Sequence, residues 1–128
     1  MPITYILVKR GQPGAAPADK QLYAQAKSTG ETTVRDLAER ISRTSTLSTV
    51  DVLAVLEAFF QTVPRELAAG RIVRFGEFGS FQTTLQGAGA ATAPEFTPAH
   101  IHEVRVRFRP GKLFGQAMQA AELCRLDE

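Results

Sequence analysis

The segment from Ser48 to Ala69 constrains the possible folds most. Val50, Val52, Leu53, Ala54, Val55, Leu56, Ala58, Phe59 and Phe60 all fall within it. At 3.6 residues per turn these positions make a helix apolar nearly all the way round, and such a helix must be covered on several sides. The chain has 128 residues, which suits one domain with an appendage but leaves few other elements to supply that cover. A second copy of the chain is the simplest cover, so the pattern predicts an interleaved homodimer; burial under an N-terminal hairpin is the alternative. Ser48 and Asp51 stand at capping-box spacing at the start, and Gly70 is placed to cap the end. Pro64 removes one intrahelical donor, which predicts a bend or a split into two segments.

Around this helix the remaining elements fall into order. Residues 3–9 (Ile-Thr-Tyr-Ile-Leu-Val-Lys) are rich in β-branched and aromatic types and read as a strand. A Gly- and Pro-containing loop over 11–19 and a weaker strand at Gln21–Lys27 complete an N-terminal β-hairpin. Val34, Leu37, Ala38 and Ile41 then lie at i, i+3, i+4 and i+7, one stripe of a helix, with Thr33 and Asp36 at capping spacing. That helix ends where Ser42–Ser45 offer the backbone competing hydroxyls. After Gly70 comes a strand, then Phe75-Gly-Glu-Phe78-Gly-Ser-Phe81, whose glycines permit a turn or bulge. Residues 82–93, built of Thr, Gly and Ala with little apolar mass, read as a flexible arm, and 113–123 as a last helix.

The net charge is only +2, but its distribution is uneven. Basic residues outnumber acidic ones over 1–30 and 71–112, and are outnumbered over 31–70 and 113–128. The pattern that orders them is Val104-Arg105-Val106-Arg107-Phe108-Arg109. On a strand the apolar members turn to one face, to be buried, and three guanidiniums project from the other. Same-face neighbours lie about 6.6–6.8 Å apart, close to phosphate spacing along a nucleic acid. Like charges so close need compensation by an anion or by scattered carboxylates, and Glu103 is the only nearby acid in sequence. Pro110-Gly111-Lys112 then opens the last helix, so that free backbone N–H groups and Lys112 form a seat for phosphate.

The order helix, helix, Gly70, strand, Phe-Gly-Ser-Phe, arm, basic strand, Arg-Pro-Gly-Lys, helix resembles the bacterial histone-like HU and integration host factor family. The residues that carry the resemblance are Leu47-Ser48, Val73-Arg74, Phe78-Gly79-Ser80-Phe81 and Phe108-Arg109-Pro110-Gly111-Lys112. It covers about residues 31–124, and the N-terminal hairpin looks like the extra segments of HU-related proteins in Bacteroides-type bacteria. The resemblance implies an α+β fold: an intertwined homodimer with a two-helix base, a three-stranded β-saddle with a short arm, and a C-terminal helix. The division expected is a hairpin extension at 1–30 and an HU-like domain at 31–128. By the same resemblance Arg105, Arg107 and Arg109 fall on the saddle strand, Lys112 at the start of the last helix and Arg74 on the first saddle strand. The first four would contact the phosphates of double-stranded DNA, giving affinity without sequence readout, with Arg74 as a supporting candidate, and the family's two β-arms embrace the minor groove. Phe78 and Phe81 map to core aromatics.

The departures from the family matter equally. Its arm carries basic residues and an Arg-x-Asn-Pro-x-Thr-Gly tip, whose proline wedges between base pairs. Residues 82–95 contain no Lys or Arg and no Asn-Pro; Pro94 is the candidate substitute wedge, with a structural turn as the competing role. Weak, salt-sensitive binding with little intercalative bending follows. His100 and His102, on a strand, would share a face, yet no third ligand accompanies them at metal spacing. Cys124, placed in the last helix, is the only cysteine; it argues for a reducing compartment and has no partner base. No apolar run is long enough to span a bilayer, and the opening residues reverse the order of a signal peptide. The chain is therefore expected to be a soluble cytoplasmic protein of the nucleoid. It is expected to have no enzymatic activity, cofactor, metal, membrane or small-molecule substrate. The competing function is a structural or protein-interaction module that kept an HU-like dimer and lost productive DNA contact.

Overall fold

In a computed structural model, which describes residues 2–11, 14 and 20–126, the chain divides into two compact units. One comprises residues 1–33 with 117–128, the other residues 34–116.

The larger unit holds the two-helix base and a sheet. Helix α1 spans Val34–Arg43 and buries Ala38 completely. Helix α2 runs from Thr49 to Ala68. The Ser48 hydroxyl accepts from the Asp51 N–H at 3.2 Å, satisfying one orphan donor of its first turn. At the other end the Gly70 N–H donates to the Leu67 carbonyl and the Arg71 N–H to that of Glu66, at 3.0 and 3.2 Å. Gly70 sits at φ 83°, the left-handed turn that closes a helix with reciprocal bonds. Pro64 does not split α2. It deletes a single ladder bond, and the helix continues on both sides of it, packed against α1 and the sheet.

Strands β3 (Val73–Arg74), β4 (Gly79–Gly87) and β5 (Ile101–Pro110) form an antiparallel sheet in that order. Between β3 and β4 the chain makes a short helical turn, Gly76–Phe78, which opens on Gly76 and is followed by Gly79, both at positive φ. The arm expected over 82–93 is corrected by this sheet: residues 82–87 are the outer half of β4, paired with β5 from Arg107 to Ile101. Their low apolar mass did not matter, because the backbone ladder with β5 orders them. The connection from Ala88 ends in a second short helical turn, Pro98–His100. Contacts between rings run from Phe59 on α2 through Phe75, Phe78 and Phe81 to Phe108 on β5, with centroids 4.7–6.0 Å apart. Phe114 on helix α3 (Lys112–Ala120) joins them, 4.8 Å from Phe78. Each such pair adds about 0.5–1.5 kcal/mol beyond its buried area, so this cluster ties sheet to helices.

The smaller unit contains β1 (Ile3–Arg10) and β2 (Gln21–Lys27), the expected hairpin, paired antiparallel. Most of its loop over 11–19 lies outside the described residues. A third strand, β6 (Leu123–Arg125), lies parallel to β1 on its other side. The last helix thus stops at Ala120 instead of running to 123, and Cys124 is an exposed strand residue. Backbone bonds explain the correction: Ile3 N–H donates to Glu122 O and Leu126 N–H to Tyr5 O, both at 2.8 Å. The free edge of β1 outcompetes one more helical turn.

A Cβ placed on Gly79 would stand 2.5 Å from the Arg109 carbonyl oxygen and 2.9 Å from the Phe108 ring, at φ 144°. Backbone on one side and a packed ring on the other leave no room to yield. Gly79→Ala should therefore lower stability by about 1–3 kcal/mol, read as a reduced denaturant midpoint with an unchanged slope.

Candidate nucleic-acid interface

The register of the large sheet sorts its side chains. Arg74 pairs with Ser80, and Ser80 with Arg109; Gln82 pairs with Arg107, and Thr84 with Arg105. Residues directly opposite across an antiparallel pair share a face. Arg74, Arg105, Arg107 and Arg109 therefore occupy one face, interleaved with Ser80, Gln82 and Thr84. All four arginines are exposed. The alternation expected from the sequence is present from Val104 to Arg109, and Arg74 joins the same row.

The charges on this face are unequal. The Arg105 Nε donates to Glu103 Oε2 at 2.8 Å, with both side chains more than half exposed. An exposed pair of this kind is worth only about 0.2–1 kcal/mol, so a phosphate can displace the carboxylate. Among the described residues, Arg74, Arg107 and Arg109 have no carboxylate within ion-pair distance. Lys112 is exposed at the first position of α3. The helix N-terminus beside it is less open than expected, because the Gly111 N–H already donates to the Phe78 carbonyl at 3.0 Å. A Cβ on Gly111 would collide with the Glu77 carbonyl, which is why glycine precedes Lys112.

The opposite face carries Val73, Phe81, Thr83 and Leu85 against Phe108, Val106 and Val104. The alternation predicts a buried face here. Instead Val104 is 62% and Val106 60% exposed, and on α2 Val50 is 74% and Val55 61% exposed. The correction has a physical cause: alternation decides which way a side chain points, not what lies there. Val104, Val106 and Phe81 line an open apolar cavity of about 470 Å³ with Phe59, Phe60 and Val63 of α2.

At the far end of β4 and β5 the arm folds back on itself. Gly87 lies so close to the His100 carbonyl that any side chain would collide, and Ala88 N–H donates to that carbonyl at 3.0 Å. His100 is in the short turn, not on the strand, so it does not pair with His102 on one face. Its Nδ1 accepts from the Thr97 N–H at 3.0 Å, and its ring stacks on Phe96 with centroids 4.8 Å apart. Pro94 is a central residue of the turn closed by Phe96 N–H to Ala93 O at 3.1 Å, a position that suits its fixed φ.

Sequence reasoning missed Ser80, Gln82 and Thr84 as neighbours of the arginines. Alternation of Phe81, Thr83 and Leu85 with these polar residues was the available signal, hidden by reading the stretch as an arm.

The chain matches, over residues 1–125, the family model described as HU-HIG, an HU domain fused to wHTH, Ig, or glycine-rich motif. DNA-binding protein HU of Thermotoga maritima is 30% identical over 82 residues, which are 62% of this chain and 91% of that one. A crystal structure from Bacteroides vulgatus, of a protein whose assignment to DNA binding is itself provisional, superposes with a TM-score of 0.68 at 16% identity. That match covers 98% of this chain, which spans about half (49%) of the Bacteroides chain. An HU mutant from Thermotoga maritima gives a TM-score of 0.49 at 20% identity, over 68% of this chain and 99% of that one. With a fold of this kind, the Phe-Gly-Ser-Phe turn and the basic strand in place, the chain belongs to the HU-HIG family of HU-like proteins.

Proposed function

We propose that this protein is an architectural, nucleoid-associated DNA-binding protein. Two copies form a β-saddle whose cationic face holds double-stranded DNA by its phosphates along the minor groove, without reading sequence. The observation that carries the proposal is the single row of Arg74, Arg105, Arg107 and Arg109 across β3 and β5. Lys112, exposed at the start of α3, would add its charge to that row. The names of the relatives support the same reading, since the Thermotoga protein is called DNA-binding. The division into a hairpin extension (1–30) and an HU-like domain (31–128) belongs to the proposal, with β6 lent by the C-terminal end to the hairpin's sheet.

The homodimer is proposed from the open apolar face. Val104, Val106, Phe59 and Phe60 would cost stability if left in water at about 25 cal/mol per Å² of apolar surface, and a second copy of the same surface covers them. Location in the cytoplasm follows from the function proposed; among the described residues no helix is long and apolar enough to cross a membrane. The arm adds little: residues 82–95 carry no Lys or Arg. Pro94 serves first as a turn former, so wedging at that residue, and with it sharp bending, is weak.

A salt titration of duplex binding tests the proposal. Each phosphate neutralised contributes about −0.9 to the slope of log K against log salt, so a steep negative slope is expected for any sequence. Replacing Arg105, Arg107 and Arg109 together with Ala should weaken binding to all duplexes alike and flatten that slope. A flat slope for the native chain overturns the proposal and returns the protein-interaction module. Glu103→Gln releases the Arg105 guanidinium and should tighten binding several-fold while steepening the slope by roughly one unit per copy. Val106→Asp places a charge in the apolar face, and sedimentation should report the loss of the dimer.

A further inference from the structure

We propose that β2 is a self-association edge, pairing antiparallel with β2 of a second copy about a two-fold axis at Ala24. The inference concerns the small sheet alone and stands apart from the saddle reading. In that sheet the strand order is β2-β1-β6, so β2 and β6 are its edges. Natural sheets blunt their edges with short strands, prolines, bulges or charges, because a bare edge offers unpaired N–H and C=O groups to any other chain. Strand β6 is blunted by length, being three residues long. Strand β2 has none of these devices over most of its span. It runs for seven residues, its register with β1 is unbroken from Gln21 to Lys27, and it has no proline and no charge before Lys27. All seven residues are exposed, Leu22 by 57% and Tyr23 by 47%.

What this edge fits is its own copy. Pairing about Ala24 uses all seven residues and sets Ala24 opposite Ala24, Leu22 opposite Ala26, Tyr23 opposite Gln25 and Gln21 opposite Lys27. No like charges face each other. Leu22, Ala24 and Ala26 share a face with Lys9, Leu7 and Tyr5 of β1, so the largely apolar face continues across the seam into the second sheet. A slip of one residue would set Leu22 against Gln25 and Ala24 against Tyr23, breaking that continuity. The contact is isologous, so each β2 edge takes one partner edge and no more; a saddle dimer, carrying two such edges, would link onward to further particles.

Ala24→Lys tests the proposal in the full chain, because the two substituted residues would stand directly opposite each other. Ala24 is exposed, and far-UV circular dichroism checks that the variant folds. Sedimentation equilibrium, compared at matched concentrations, should show the native protein reaching at least twice the particle mass that Ala24→Lys or Ala24→Glu reaches alone, whether or not the saddle contact is also made. An equal mixture of the two variants should restore that excess mass. A native mass that never exceeds that of Ala24→Lys, or a mixture that fails to recover the excess, would each overturn the proposal. Duplex binding by Ala24→Lys is a separate readout of the saddle, whose residues this variant leaves untouched.

Discussion

The backbone ladder between β4 and β5 is the interaction on which the site depends. Its eight consecutive paired positions, from Gly79↔Pro110 to Gln86↔Glu103, hold β5 in one register, which shifts only at the last pair, Gly87↔Ile101. Because side chains alternate along a strand, that register alone sends Arg105, Arg107 and Arg109 to one face and Val104, Val106 and Phe108 to the other. A slip of one residue would exchange the faces and leave the guanidiniums against α2. Two features pin the register. Gly79 admits the Arg109 carbonyl and the Phe108 ring at contact distance, and Gly111 lets its N–H reach the Phe78 carbonyl. The aromatic cluster of Phe78, Phe81, Phe108 and Phe114 then locks the near end.

The two faces of this sheet pose opposite problems, and the proposed assembly would address both. Its apolar face is left open by a single chain, in which Ala38, Val52 and Leu67 are the buried apolar residues among those described. Its cationic face gathers like charges that repel one another, offset among the described residues only by the exposed Glu103. A second copy would cover the first face, and a polyanion would neutralise the second. The two faces lie on opposite sides of the sheet, so the proposed association and the proposed DNA binding would respond to substitutions at different residues.

Much of this was legible in the sequence. Alternation over 104–109 is a period-two signal that tertiary context cannot reverse, and the helix caps at Ser48 and Gly70 are local chemistry. The parts that were not legible depend on distant pairing. Three residues, Leu123–Arg125, have no strand signal of their own; they become β6 because β1 offers a free edge. Residues 82–87 look like a linker by composition and become strand because β5 lies beside them. The placement of His100 depended on a turn closed by its own ring nitrogen. Exposure of Val104 and Val106 was also beyond reach, since a pattern reports direction and not cover.

The central claim is that alternate guanidiniums on β5, with Arg74 beside them, form an open face for a phosphate backbone. The most direct measurement follows the arginine Nε–H signals by NMR as a short duplex is titrated in. The account predicts that Arg74, Arg105, Arg107 and Arg109 shift together, while Arg35, Arg40, Arg43 and Arg65 on the helices stay in place. Shifts confined to the helical arginines, or none on the sheet, would contradict it.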